Sequence, residues 1–164
     1  MDINWKLESH DNFYKILVDN LERELRKKSS MGKTNLSVIF DIDGTIIDHH
    51  SNPIISVYYF FKYCIERGLN IIVITARPGY KENISGTINM LLKMGLPHKT
   101  IYFMKLGTDN QPSFKLHSRE DVKKNGFNTV MSLGDNPWDI GKHGGLGVIV
   151  NQKNDYEIFY NIFP

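Results

Sequence analysis

A parallel α/β sheet is predicted by two features of the chain. From Leu36 onward, short continuous apolar runs alternate with longer stretches of helical character. Runs of five or six residues rich in Val and Ile have the pattern of strands buried on both faces. Strands alternating with helices are joined by crossovers, which makes the strands parallel and puts helices on both sides. The scale agrees: 164 residues fit one compact domain, and 41% hydrophobic against 23% charged residues is globular composition.

The elements follow in order. Phe13, Leu17, Leu21 and Leu25 recur every four residues, with Tyr14 beside them, which predicts a helix over 11–28. The pairs Glu22–Arg26 and Glu24–Lys28 support it at i,i+4 spacing. A polar linker, SSMGKTN, follows at 29–35, with Met31-Gly32 ending the helix or the loop after it. Its Gly-Lys-Thr is not a phosphate-binding P-loop, because position 27, where the earlier glycine belongs, is Lys. The strands are predicted at 36–40, 69–74, 100–104, 129–133 and 146–150. Helices are predicted at 54–67, 80–94 and 118–125, with a short helical turn after Pro137. We therefore divide the chain into an N-terminal helix and linker, 1–35, and an α/β unit, 36–164, within a single domain.

Charge and composition exclude several classes of partner. Lys and Arg number 20 against 18 Asp and Glu, a net charge of +2, so neither nucleic acid nor an anionic membrane surface is required. No apolar run approaches the ~20 residues of a membrane span. The opening MDINWKLESHDNFY lacks the basic-then-apolar order of a signal peptide. With a single cysteine, Cys64, no internal disulfide can form. The expected location is the cytoplasm.

Ligands of open parallel sheets bind at the carboxyl ends of the strands, so the residues there carry the functional reading. After the first strand comes Asp41-Ile42-Asp43-Gly44-Thr45, two carboxylates entering a glycine turn. One can attack an electrophile while the other handles a proton. Read blandly, the same residues make a capped turn. After the second strand, Thr75-Ala76-Arg77-Pro78 offers a hydroxyl and a backbone N–H that suit an anionic oxygen, or simply cap the next helix. After the fourth, Gly134-Asp135-Asn136-Pro137-Trp138-Asp139 sets two carboxylates four apart, hard oxygen ligands of the kind Mg²⁺ prefers. Between the second and fourth strand ends in sequence stands Lys115, a cation available to phosphate.

In this order, FDIDGT, ITARP, a lysine and GDNPWD, the motifs resemble the four-part signature of the haloacid dehalogenase-like (HAD) superfamily. The spacings of 34, 40 and 20 residues between Asp41, Thr75, Lys115 and Asp135 fit it as well. Lys115 followed by Arg119, with GDNPWD soon after, is most similar to the Mg²⁺-dependent acid phosphatases of the plant and bacterial class B type. The resemblance covers roughly residues 36–150. It implies a three-layer Rossmannoid sandwich with a small or absent cap, and a phosphate monoester as substrate. It further implies Asp41 as the nucleophile that forms an aspartyl-phosphate, and Asp43 as general acid and then base. Thr75 and Ala76 would bind the phosphoryl oxygens, and Lys115 would steady both nucleophile and phosphate. Mg²⁺ would sit on the Asp41 carboxylate, the Asp43 main-chain carbonyl and Asp135, with Asp139 close by or acting through water. The chemistry is coherent, since a carboxylate attacking a phosphate dianion meets like-charge repulsion that a divalent cation and an ammonium relieve.

Other readings stand beside this one. A non-catalytic phosphoacceptor or regulatory binding domain also combines an acidic cluster, a Thr, a Lys and Mg²⁺, but a receiver has no second carboxylate two residues after its acceptor. Within phosphatases, phosphorylated ends of proteins or nucleic acids are as acceptable as small metabolites. The segments 44–69 and 75–115 leave room only for a small flap, so the site is expected to be open. His49 and His50 read as solvated loop residues, and Gly144-Gly145-Leu146-Gly147 precedes a strand and so reads as a tight turn. The helix at 54–67 carries two apolar stripes, Ile54, Val57, Tyr58, Phe61 and Ile65 on one and Tyr59, Phe60 and Tyr63 on the other. Cover by the N-terminal helix accounts for them, with a homodimer contact or a substrate wall as the alternatives.

Overall fold

The computed structural model of the protein describes residues 3–107, 110–151 and 155–159, with side chains over 12–107 and 110–151. The expected end of the domain at 160–164 lies outside the described residues. The chain runs α1 (Ile3–Ser30), β1 (Leu36–Phe40), α2 (Ile55–Glu66), β2 (Asn70–Pro78), α3 (Lys81–Lys93), β3 (Thr100–Met104), α4 (Gln111–Lys124), β4 (Asn128–Gly134), a 3₁₀ turn (Pro137–Asp139), β5 (Leu146–Asn151) and β6 (Asp155–Phe159). The sheet order is β3-β2-β1-β4-β5-β6. All neighbours are parallel except β6, which pairs antiparallel with β5.

The strands alternate their side chains between two cores, as a period of two dictates. Val38 and Phe40 of β1 with Ile71 and Val73 of β2 face a large cluster that includes Phe13, Leu17, Leu21 and Leu25 of α1, Phe60 and Phe61 of α2 and Leu91 of α3. Ile39, Ile72 and Ile74 face the opposite way, onto Val122 and Phe114 of α4. Three helices therefore cover one face and α4 the other, giving the predicted three layers. The Phe40 ring packs 4.7 Å from Phe61 and 6.1 Å from Phe60, centroid to centroid.

The N-terminal helix covers α2. Tyr14 meets Tyr63 edge-on at 6.5 Å. Above this contact, Glu22 accepts from the Tyr63 hydroxyl at 2.5 Å and from Arg67 Nε and Nη2 at 2.6 and 3.1 Å. Among the described residues, no helix is long and apolar enough to cross a membrane.

Four differences from the sequence expectation have local causes. α1 begins at Ile3 instead of 11, ahead of its periodic apolar stripe. α4 begins at Gln111, two turns before the predicted 118, because Asn110 caps it by accepting the Ser113 N–H at 2.8 Å and Pro112 falls in the first turn, where its missing N–H costs nothing. β2 continues past 74 to Pro78, with a register shift against β3 between Thr75 and Pro78. β6 was not predicted: Asp155-Tyr-Glu-Ile alternates polar and apolar residues, as an edge strand does, and lacks the continuous apolar run of a central one.

Leu21 is fully buried between α1, α2 and the sheet. Leu21→Ala should cost about 2–5 kcal/mol of unfolding free energy. Urea denaturation measures this directly, and a loss below about 0.5 kcal/mol would mean that α1 is detached from the core.

Candidate active site

The site is assembled at the carboxyl ends of β1, β2 and β4. Asp41 is the first residue beyond β1, anchored by its N–H to Leu133 O at 3.0 Å, and is only 7% exposed. Asp135 follows the end of β4, and Asp139 closes the 3₁₀ turn behind it. One oxygen from each of these three carboxylates lies within 4.8 Å of the others. Two glycines make this approach feasible. A β-carbon on Gly44, which sits at φ +81°, would fall 2.7 Å from Asp135 Cγ, and one on Gly134 would overlap the Asp139 side chain.

Lys115 reaches into the cluster from α4. It is 2% exposed, and its ammonium lies 2.9 Å from Asp41 Oδ1, 2.6 Å from Asp139 Oδ1 and 2.8 Å from the carbonyl of Ile74. Burial alone would lower its pKa, but the charges of Asp41 and Asp139 outweigh that and raise it. Asp139 is held from its other side, with Oδ2 accepting the N–H groups of Asp135 at 3.1 Å and Asn136 at 3.0 Å. Burial lifts the Asp41 carboxyl to about 8 despite Lys115, and burial also raises Asp135.

Asp43 stands apart from the buried cluster. Its side chain is 59% exposed and grips Arg77 in a two-point pair, Nε to Oδ2 at 2.9 Å and Nη2 to Oδ1 at 2.8 Å. Arg77 also donates Nη1 to Thr87 Oγ1 of α3 at 3.1 Å, which ties β2 to α3 across the site. Thr75 is fully buried, its hydroxyl accepting the Arg77 N–H at 3.1 Å. The cleft itself, of about 270 Å³, is lined at this point by Ala76 and Arg77, and elsewhere by Asp41, Asp43, Lys115, Asp135 and Asp139 with Gln111 and Asn136.

The structure thus gathers Asp41, Lys115, Asp135 and Asp139 tightly, sets Asp43 and Ala76 on the rim, and places Thr75 behind the wall. Sequence reasoning missed the part played by Arg77. The signal was its position two residues after Thr75 at a strand end, opposite the carboxylate pair. The rings of His49 and His50 lie 4.0 Å apart, tilted by 44°, in the exposed loop after Asp43, outside the acidic cluster. Three carboxylates without a thiolate or imidazole among them form an oxygen donor set, which suits Mg²⁺ over soft-ligand metals.

An open, mostly parallel sheet with a charged crevice at its carboxyl edge defines an α/β protein of the doubly wound, Rossmannoid class. Residues 49–159 match the family described as HAD superfamily, subfamily IIIB (acid phosphatase), and the chain belongs to this family. It is accordingly a phosphoric monoester hydrolase of HAD type. The matched stretch includes Thr75, Lys115, Asp135 and Asp139, and begins after Asp41 and Asp43. A comparison with curated proteins finds no match. Among solved structures, the core domain of a provisional phosphoglycolate phosphatase from Streptococcus pneumoniae TIGR4 aligns at 18% identity over 65% of this chain and 70% of that one, with a TM-score of 0.43. A hypothetical protein from Geobacillus kaustophilus HTA426 aligns at 17% identity over 55% and 37%, with a TM-score of 0.31.

The raised carboxyls have a consequence for stability. Asp41 titrates near 3.8 in an unfolded chain and at about 8 in the folded one, so folding takes up a proton between those values. Stability without divalent cation should fall as pH rises through that window. A cation that replaces the proton removes the penalty, so the thermal stabilisation given by Mg²⁺ should grow between about pH 5 and about pH 8. Melting curves with Mg²⁺ and with EDTA measure the increment. An increment that does not change with pH would show that the carboxylates are already ionised.

Proposed function

We propose that the chain hydrolyses phosphate monoesters in two steps through an aspartyl-phosphate on Asp41, with Mg²⁺ as cofactor. The observation that carries this reading is the placement of Asp41 at the mouth of β1, with the Lys115 ammonium 2.9 Å from its Oδ1 and Asp135 and Asp139 beside it. A carboxylate paired with a buried cation, on the wall of a charged cleft, is positioned to attack phosphorus without prohibitive repulsion.

An Asp41 oxygen forms a bond to phosphorus as the ester P–O bond breaks, and Asp43 gives its proton to the departing alkoxide. Asp43 then takes a proton from water, the resulting hydroxide attacks phosphorus, and the acyl-phosphate bond breaks to release phosphate and restore Asp41. To act as acid, Asp43 must leave its two-point pair with Arg77, and the guanidinium thereby becomes available to the phosphoryl oxygens. Lys115 holds the nucleophile's orientation throughout, since three contacts fix its ammonium. Mg²⁺, bound by Asp41 and Asp135 with the Asp43 main-chain carbonyl and with Asp139 behind them, would neutralise phosphoryl charge. Ala76 completes the wall against the phosphoryl group, with the buried Thr75 hydroxyl behind it accepting the Arg77 N–H.

Among the described residues, the segment between β1 and α2 is only the loop 41–54 and that between β2 and β3 holds α3 alone, which leaves no room there for a large cap. That supports action on phosphate groups carried by bulky molecules as well as on small esters.

Asp41→Asn should abolish turnover of every substrate, and EDTA should abolish wild-type turnover until Mg²⁺ is restored. Asp43→Asn should slow the phosphorylation step roughly 10²–10⁴-fold on an alkyl phosphate but much less on p-nitrophenyl phosphate, whose leaving group needs no proton. Rapid-quench burst rates separate the two substrates. Equal losses on both would remove Asp43 as the acid, and Mg²⁺-independent turnover would remove the metal.

A further inference from the structure

Three residues of α4, Gln111, Lys115 and Arg119, recur at four-residue spacing and all engage the segment 138–142 that follows β4. Trp138 donates its indole N–H to Gln111 Oε1 at 3.3 Å. Lys115 pairs with Asp139 at 2.6 Å. Arg119, only 4% exposed, donates Nη1 to the carbonyl of Trp138 at 2.8 Å and Nε to the carbonyl of Lys142 at 2.9 Å.

The last of these is unusual in energetic terms. A buried guanidinium is costly unless it is well partnered, and an ion pair is its common answer. Here the partners are backbone carbonyls on either side of Asp139. Burial pulls the Arg119 pKa below its ordinary value, with the charge of Asp139 opposing that shift from nearby. Carbonyls held at both ends of a short segment leave it little freedom, because the planar fork fixes two points at once. The turn so held carries Asp139, whose carboxylate in turn fixes the backbone of Asp135 and Asn136 at 3.1 and 3.0 Å. A chain of contacts therefore runs from Arg119 through Trp138 and Asp139 to Asp135.

We infer that Arg119 is a positioning residue for the metal-binding carboxylates: its two-carbonyl clamp sets where Asp135 and Asp139 stand relative to Asp41. This rests on the proposed Mg²⁺ site. Arg119 lies outside the residues that line the cleft, so it acts on cation affinity through the loop and not on substrate directly. Outer partners of this kind typically affect metal affinity 10–100-fold.

The test is Mg²⁺ titration by isothermal calorimetry on wild-type protein, Arg119→Met and Arg119→Lys, each checked for folding by circular dichroism. Arg119→Met should bind Mg²⁺ roughly 10–100-fold more weakly. Arg119→Lys should also bind more weakly, since it keeps the charge but not the fork. KM for p-nitrophenyl phosphate at saturating Mg²⁺ should stay at the wild-type value. A merely structural role would lower the melting temperature and leave the Mg²⁺ affinity of the folded protein intact. Folded Arg119→Met with an affinity within about twofold of wild type would overturn the inference, as would full affinity in Arg119→Lys. Should Arg119→Met not fold, Arg119→Lys decides by the same titration. Wild-type protein that binds no Mg²⁺ would instead overturn the metal reading, and this inference with it.

Discussion

One buried ammonium organises the molecule's functional end. Lys115 of α4 meets Asp41 beyond β1, the carbonyl of Ile74 in β2 and Asp139 in the turn after β4, so four separate segments converge on a single charge. Two carboxylates and a lysine withdrawn from water are each expensive, and they are tolerated because each satisfies the others. Deleting the lysine would leave Asp41 and Asp139 facing one another in a low-dielectric pocket. The same constraint explains Gly44 and Gly134: carboxylates can be gathered this closely only where neighbouring backbone carries no side chain.

Burial divides the acidic residues into two kinds. Asp41 and Asp139 are almost wholly buried and Asp135 partly so, and burial makes Asp41 and Asp135 hold protons more strongly than in water. Together these three carboxylates form a group that could hold a metal ion. Asp43 sits at the exposed rim, in a two-point pair with Arg77. Two carboxylates two residues apart in sequence thus occupy different environments, one buried against Lys115 and one exposed against Arg77.

The rest of the fold serves to hold this edge still. α1 and α2 close one face of the sheet with a continuous apolar layer, sealed at its margin by Glu22, Tyr63 and Arg67. α4 closes the other face while presenting Gln111, Lys115 and Arg119 to the loop after β4. The cleft at the strand ends is bordered by the loop after β1, by the end of β2 and by α4, which supplies Gln111 and Lys115.

The sequence by itself determined the central strands and most of the acidic motif. Val38 to Phe40, Ile71 to Ile74 and Val148 to Val150 are apolar on successive residues because both faces of a middle strand are covered, and the residues that follow such runs are where the chemistry collects. β6 and the first two turns of α4 escaped that reading, one because an edge strand needs no continuous apolar run, the other because Gln-Pro-Ser reads as a turn until Asn110 is seen capping it. Only the tertiary structure decided that Lys115 lies buried between two carboxylates, that Arg77 grips Asp43, 34 residues away, and that Arg119 holds Trp138 and Lys142. Strand and helix periodicity is written locally, in the spacing of apolar side chains along one segment. The pairing of charges depends on how segments cross one another, which no local spacing records.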